Sequence, residues 1–182
     1  MKIIYTIAAT YNSGGMERVL ANKANWLVRN GYEISILTTD QKGRSSFFDF
    51  DSRIRFYDLE INYEENNGMS FLNKLIHYPF KQWKHQKALK KLLPELKADV
   101  VISMFCNDAS FLPDIEDGSK KVLEIHFSRF KRLQYNRKGI WRLADWWRYI
   151  NDEKIASRFD RFIVLTGEDK RYWKNVPNIK VI

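Results

Sequence analysis

The amino-acid sequence predicts an α/β fold: a doubly wound, mostly parallel sheet of six or seven strands with helices on both faces. Three observations predict it. Short apolar runs rich in β-branched residues recur along the chain, at residues 3–7, 99–104, 121–125 and 161–165, as strands covered on both faces require, and residues 32–39 and 53–59 read as two further strands. Helical periodicity fills most of the intervals between them. Glycine punctuates the first crossings, at Gly14-Gly15 and at Asn30-Gly31.

The opening run Ile3-Ile4-Tyr5-Thr6-Ile7 is too short to cross a bilayer and suits a central strand. Met1-Lys2 before it resembles the start of a signal peptide, but the apolar run ends early and no small-residue cleavage site follows. Ala8 to Ser13 then leads to Gly14-Gly15 and a helix start at Met16-Glu17-Arg18-Val19. Glycines there remove the Cβ atoms that would block close backbone approach, and the helix aims its positive end at the turn. A phosphate or a sugar could sit at such a turn; a plain bend without a ligand explains the glycines equally well.

Met16, Val19, Leu20, Ala24, Leu27 and Val28 give the first helix its apolar side, and Asn30-Gly31 closes it with a left-handed cap. Residues 32–39 and 53–59 are the second and third strands. The polar loop between them contains Asp49-Phe50-Asp51, which has the spacing of a metal-binding acidic pair but lies away from the expected ligand crevice, so no metal site is assigned. Residues 70–96 are helical with an interruption at Pro79, whose ring and missing N–H should break or kink the helix. Its second half has a lysine side at Lys81, Lys84, Lys87 and Lys91 and an apolar side at Leu89, Leu92, Leu93 and Leu96. Strands at 99–104, 121–125 and 161–165 follow, and Asn178-Ile179-Lys180-Val181-Ile182 reads as a further strand or the start of a linker.

With 182 residues, 45% of them hydrophobic, the chain can bury the core of one compact domain. Cys106 is the only cysteine, which excludes an internal disulfide and a thiolate cluster and fits a reducing, cytoplasmic setting. No run approaches the roughly 18 to 20 apolar residues of a spanning helix, so membrane contact would be peripheral. The net charge of +9 is concentrated. Residues 74–97 hold seven lysines against Glu95 alone, and residues 120–150 hold nine basic side chains against Glu124 and Asp145. Such segments attract phosphates, anionic headgroups or nucleic acid, or simply form a solvated face.

In an open parallel sheet, ligands bind beyond the carboxyl ends of the strands, which draws attention to residues 12–17, Cys106, Asn107, residues 126–129, Thr166 and Gly167. His126 directly follows Val122-Leu123-Glu124-Ile125 and should share the crevice with Gly14 and Gly15, where an imidazole could donate a hydrogen bond or shuttle a proton. Residues 127–149 add seven aromatics to a basic segment. Ile140, Leu143, Trp147 and Ile150 repeat at helical spacing and are expected in the core, leaving Trp141, Trp146, Arg142 and Arg148 for an exposed contact. The opening turn lacks Gly-x-Gly-x-x-Gly and has no Lys-Ser/Thr after its glycines, which argues against a dinucleotide fingerprint and a P-loop. No serine sits in a nucleophile elbow, and Cys106 fits packing better than nucleophilic attack.

Gly14-Gly15-Met16-Glu17-Arg18-Val19, Asn30-Gly31-Tyr32-Glu33-Ile34, Ser52-Arg53-Ile54-Arg55-Phe56-Tyr57-Asp58-Leu59, His126 after its strand, and Phe162-Ile163-Val164-Leu165-Thr166-Gly167-Glu168 together resemble the amino-terminal half of glycosyltransferase family 4. Each motif is loose; their order and spacing cover nearly the whole chain. The resemblance implies a GT-B architecture, two facing Rossmann-like domains, of which residues 1–182 are the acceptor-side one and the carboxy-terminal donor-binding domain is absent. It implies transfer of a sugar from a nucleotide-sugar donor, with retention of configuration and without a metal or other cofactor, to a saccharide or lipid-linked acceptor in bacterial cell-surface polysaccharide or glycolipid synthesis. Gly14 and Gly15 match the glycine loop against the donor diphosphate and acceptor, with Met16 and Glu17 beside it, and His126 matches the histidine that contacts the transferred sugar. Arg129 and Thr166 are further substrate-binding candidates. The family's paired glutamates, which bind donor phosphate and ribose, have no counterpart here, so this chain alone is expected to be inactive. The implied location is cytoplasmic, at the inner membrane face. The competing expectation is a non-catalytic basic module that binds nucleic acid or an anionic membrane, with nucleic acid the weaker of the two.

Overall fold

The computed structural model describes residues 1–134 and 138–182 of the chain. In chain order the elements are β1 (Lys2–Ile7), α1 (Gly15–Arg29), β2 (Glu33–Thr38), β3 (Arg55–Asp58), α2 (Phe71–Leu96), β4 (Val100–Ser103), β5 (Lys120–Glu124), α3 (Lys131–Gln134), α4 (Ile140–Ala156), β6 (Arg161–Val164), α5 (Gly167–Tyr172) and β7 (Ile179–Val181). The seven strands form one parallel sheet in the order β3-β2-β1-β4-β5-β6-β7. The chain therefore starts at the centre, winds outward to β3, returns along α2 and continues through β4 to the other edge. This Rossmann-like arrangement is the doubly wound sheet the sequence predicts.

Period-two alternation along the strands makes two cores. Ile3, Tyr5, Ile7, Ile34, Ile36, Ile102 and Val122 point to one face, where Leu20, Ala24 and Val28 of α1 cover them. Ile4, Leu37, Val101, Leu123, Phe162 and Val164 point to the other, against Leu89 and Leu93 of α2, Ala156 of α4 and Trp173. Each such side chain contributes about 1.5–3 kcal/mol by leaving water. Register follows from this pattern: Tyr5 pairs with Ile36 on one side and Ile102 on the other, and a shift of one residue would reverse both faces.

Two expectations change. α2 runs unbroken through Pro79. The proline lies in the exposed amino-terminal half of the helix, where the carbonyl it leaves unpaired can turn to water. In α4, Leu143, Trp147 and Ile150 are exposed rather than in the core, while Asp145 and Asp152 are buried. Spacing defined a stripe on that helix but not which way it faces. The side chains of Ile140 and Trp141 lie outside the described residues. Short turns of 3-10 helix at Asn107–Ser110 and Leu112–Asp114 replace a crossing α-helix between β4 and β5, and a loop joins β2 to β3.

Candidate active site at the carboxyl ends of β1, β4 and β5

The connections from β1 to β2 and from β3 back to β4 leave the sheet in opposite directions, so a crevice opens beyond β1 and β4. Its floor is held by a buried carboxylate. Asp108, just after β4, accepts from Thr6 Oγ1 of β1 at 2.6 Å and from Ser103 Oγ of β4 at 3.0 Å. Burial nonetheless raises its pKa above the ordinary carboxylate value.

The turn after β1 is fixed from the β2 side. Thr39 and Asp40 donate their backbone N–H groups to Ala8 O, Phe47 N–H donates to Thr10 O, and Thr10 N–H donates to Gln41 Oε1. Tyr11 Oη donates to Glu64 at 2.8 and 2.9 Å while Arg44 stacks over its ring. The rigid turn delivers Gly14 as the cap of α1, with no side chain capping the first amides. Those orphan N–H groups and the helix dipole, equivalent to about half a positive charge, remain available to an anion. Glu17 partly offsets that charge by folding its carboxylate back over Gly14: a Cβ at position 14 would stand 2.2 Å from Glu17 Oε2. A Cβ at Gly15 would meet nothing within 4 Å, so that position faces open space. Met16 is partly buried against the core under α1.

His126 follows β5 on the α1 face of the sheet, its side chain 4% exposed. Nε2 is 2.7 Å from Oε1 of Glu124, a close contact that is not aligned with the ring N–H. Lys23 of α1 reaches the same carboxylate at 2.6 and 2.7 Å. Burial alone would raise the Glu124 pKa, but His126 and Lys23 outweigh it and hold the carboxyl below its usual value. The Lys23–Glu124 pair thus ties α1 to the end of β5, with His126 beside it; the two cavities described next are not lined by His126 or the glycine turn.

The cavities at this end lie toward α2 and α4. One, of about 540 Å³, is lined by Ala8, Asp40, Tyr63, Tyr78, Asn107 and Arg148 among others. A neighbouring one of about 670 Å³ shares Ala8, Tyr78, Asn107 and Arg148 and adds Phe127 and Trp147. Of these, the sequence marks Asn107 and Phe127, for their places after strands, and Arg148. Sequence reasoning missed Asp40, Tyr63 and Tyr78, which come from three separate elements.

The other candidates have local partners. Arg129 is buried, its guanidinium 4.3 Å from the Tyr149 ring centre and 4.1 Å from that of Trp173, with Glu153 at 3.3 Å. Thr166 caps α5, accepting from Asp169 N–H at 3.0 Å. Cys106 is a neutral thiol whose pKa burial pushes far up. Asp51 is engaged by Arg53, and no cluster of three potential metal ligands occurs among the described residues.

The sequence profile of Glycosyltransferase Family 4 matches residues 13–182. An α-1,4-N-acetyl-D-galactosaminyltransferase of Campylobacter jejuni, named for a diNAcBac-PP-undecaprenol-linked GalNAc acceptor, is 30% identical over 185 residues, covering all of this chain and 45% of that protein. An uncharacterized glycosyltransferase of Haemophilus influenzae is 26% identical over 175 residues, covering 95% of this chain and 43% of its own length. The chain thus spans a little under half of each curated relative it matches. Among solved structures, sucrose-phosphate synthase of Thermosynechococcus elongatus superposes with a TM-score of 0.72 at 12% identity over the whole chain and 47% of that protein. WaaG, a glycosyltransferase of lipopolysaccharide biosynthesis, gives 0.63 at 14% identity over 99% of this chain and 44% of its own.

Proposed function

The chain belongs to glycosyltransferase family 4, and from that premise we propose that it is the acceptor-side half of an enzyme that moves a sugar from a nucleotide-sugar donor to a saccharide or lipid-linked acceptor, with retention of configuration. The observation that carries this reading is an uncapped turn, sterically open at Gly15, with His126 beside the buried Lys23–Glu124 pair on the same face of the sheet. A second, donor-binding domain facing this crevice completes the site, a reading supported by the share of the relatives' length that this chain spans. The likeness to a transferase named for an undecaprenol-linked acceptor supports a role in bacterial cell-surface polysaccharide or glycolipid assembly at the cytoplasmic membrane face.

The chemistry follows from placement. The amides at the start of α1 stabilise negative charge as the donor's glycosidic bond to diphosphate breaks, without having to reorganise. His126 faces the transferred sugar with Glu124 close behind its ring; Gly14, Gly15, Met16 and Glu17 form the wall along which donor and acceptor meet. The cavities bearing Asp40, Tyr78, Asn107 and Arg148 offer acceptor hydroxyls both donors and acceptors of hydrogen bonds. The donor is itself a substrate, and the scheme uses no other cofactor and no metal. The experiment is transfer by the full-length protein across a set of nucleotide sugars and a polyprenyl-diphosphate saccharide, with the product's anomeric configuration read by NMR. Retained configuration supports the proposal; inversion contradicts its stereochemistry, and no nucleoside diphosphate release with any donor contradicts the reaction.

A further inference from the structure

We propose that the outer faces of α2 and α4 together form a docking surface for an anionic lipid bilayer, and that the surface flanks the mouth of the crevice. The inference stands on the two helices and is independent of the sugar-transfer reading.

The first observation is the inverted amphipathicity of α4. Leu143, Trp146, Trp147 and Ile150 fall at successive helical-turn spacings on one stripe and are 38% to 68% exposed, while Asp145 and Asp152 are buried. A helix that turns its acids inward and its tryptophans outward has its apolar partner outside the domain. The second observation is the outer side of the amino-terminal half of α2, in which no described residue from Leu72 to Lys84 is fully buried. Leu72, Ile76, Phe80 and Trp83 form one stripe along it, 56% to 71% exposed, with Phe80 and Trp83 stacked at 5.9 Å.

The third observation fixes the occupant by charge. Residues 72–94 of α2 carry lysines and no acid, and Lys87 Nζ lies 5.2 Å from the centre of the Trp83 ring, at the end of the stripe. Arg142 and Arg148 take the corresponding places beside the α4 stripe, with the Arg148 side chain about half exposed. Tryptophan rings with aliphatic side chains between them, rimmed by cations, match the layered chemistry of headgroups over acyl chains. Nucleic acid would use the cations and rings but give Leu72, Ile76 and Leu143 no partner. Among the described residues no helix is long and apolar enough to cross a membrane, so the contact lies in the interface plane.

The two stripes belong to one mouth. Leu75 and Tyr78 of α2 and Arg148 of α4 line the same cavity, and Gln82 and Trp147 line its neighbour; both cavities reach Ala8 and Asn107 at the ends of β1 and β4. Docking by these helices brings that opening to the lipid surface.

The test is flotation of the full-length protein with vesicles of phosphatidylglycerol and phosphatidylcholine, beside vesicles of phosphatidylcholine alone. The wild type is expected to float with the anionic vesicles and to be partly released by salt. Three variants are compared: Ile76→Ser with Phe80→Ser and Trp83→Ser; Trp146→Ser with Trp147→Ser; and Lys84→Glu with Lys87→Glu and Lys91→Glu. Each is expected to lower the vesicle partition coefficient by about tenfold or more with the melting temperature held. All substituted side chains are at the surface, so the folded state survives the changes. Failure of the wild type to float, or equal flotation by the apolar variants, overturns the proposal. So does tight binding of an RNA oligonucleotide that the serine variants leave unchanged, or self-association in place of vesicle binding that those variants abolish.

Discussion

Replacing Lys23 by methionine removes one cation from a carboxylate that water does not reach. Lys23 Nζ lies 2.6 and 2.7 Å from the two oxygens of Glu124, whose side chain is fully buried while that of Lys23 is about one-third exposed. Breaking a wholly buried pair costs about 3–5 kcal/mol; with one end open to solvent and His126 still at 2.7 Å, about 2 kcal/mol is the appropriate figure. For a chain of this size that corresponds to a drop in Tm of about 4–8 °C near pH 7. The pH dependence carries the sign. Glu124 has a lowered pKa in the fold, so its stabilisation is complete above the ordinary carboxylate value near 4.3 and is lost as pH falls through the lower folded value. In Lys23→Met the folded pKa rises, and the deficit therefore shrinks toward pH 4, where a protonated Glu124 needs no cation. Circular-dichroism melting from about pH 7 to about pH 4 reads both effects. A Tm change under about 1 °C near neutrality, or a deficit that persists undiminished in acid, would refute the buried-pair account.

Two further outcomes follow from the geometry. His85 in α2 is buried against Phe111 and Tyr63, and burial pushes its pKa down to about 4. The neutral ring thus stabilises the fold fully above the ordinary value of about 6.5, and up to about 3 kcal/mol is lost as pH falls from there toward 4; His85→Gln should flatten that slope in melting curves, and an unaltered slope would discount it. Gly15→Ala places a methyl group in open space at the start of α1, so it should raise stability by about 0.5 kcal/mol yet lower kcat/KM of the full-length enzyme about tenfold or more by blocking the turn; unchanged kcat/KM would remove the turn from the site.

Much of the frame is readable from residue order. The central strands appear within one or two residues of their expected positions because both cores demand runs rich in β-branched residues, and Asn30-Gly31 caps α1 through the positive φ of Gly31 as its sequence suggests. Other features depend on contacts distant in sequence. Lys23 and Glu124 are 101 residues apart, and nothing local marks Lys23 as the partner of a buried acid. The stripe of α4 is visible at helical spacing, but its direction is set by Tyr149 and Glu153, which close around Arg129 from the inner side. Pro79 costs α2 one backbone hydrogen bond, but the carbonyl it frees lies on an exposed stretch that water can reach, so the helix continues through it. Asp40, Tyr63 and Tyr78 meet at one cavity because the sheet order brings the ends of β1 and β2 beneath α2, a fact of topology rather than of motif.

The central claim is that His126, set beside Glu124 at the end of β5, faces the sugar being transferred. Its most direct test is kcat of the full-length protein with its nucleotide-sugar donor, wild type against His126→Ala, with melting curves to establish that both are folded. The account predicts a loss of about 10²–10³ in kcat. A folded variant with kcat within about threefold of wild type would contradict it.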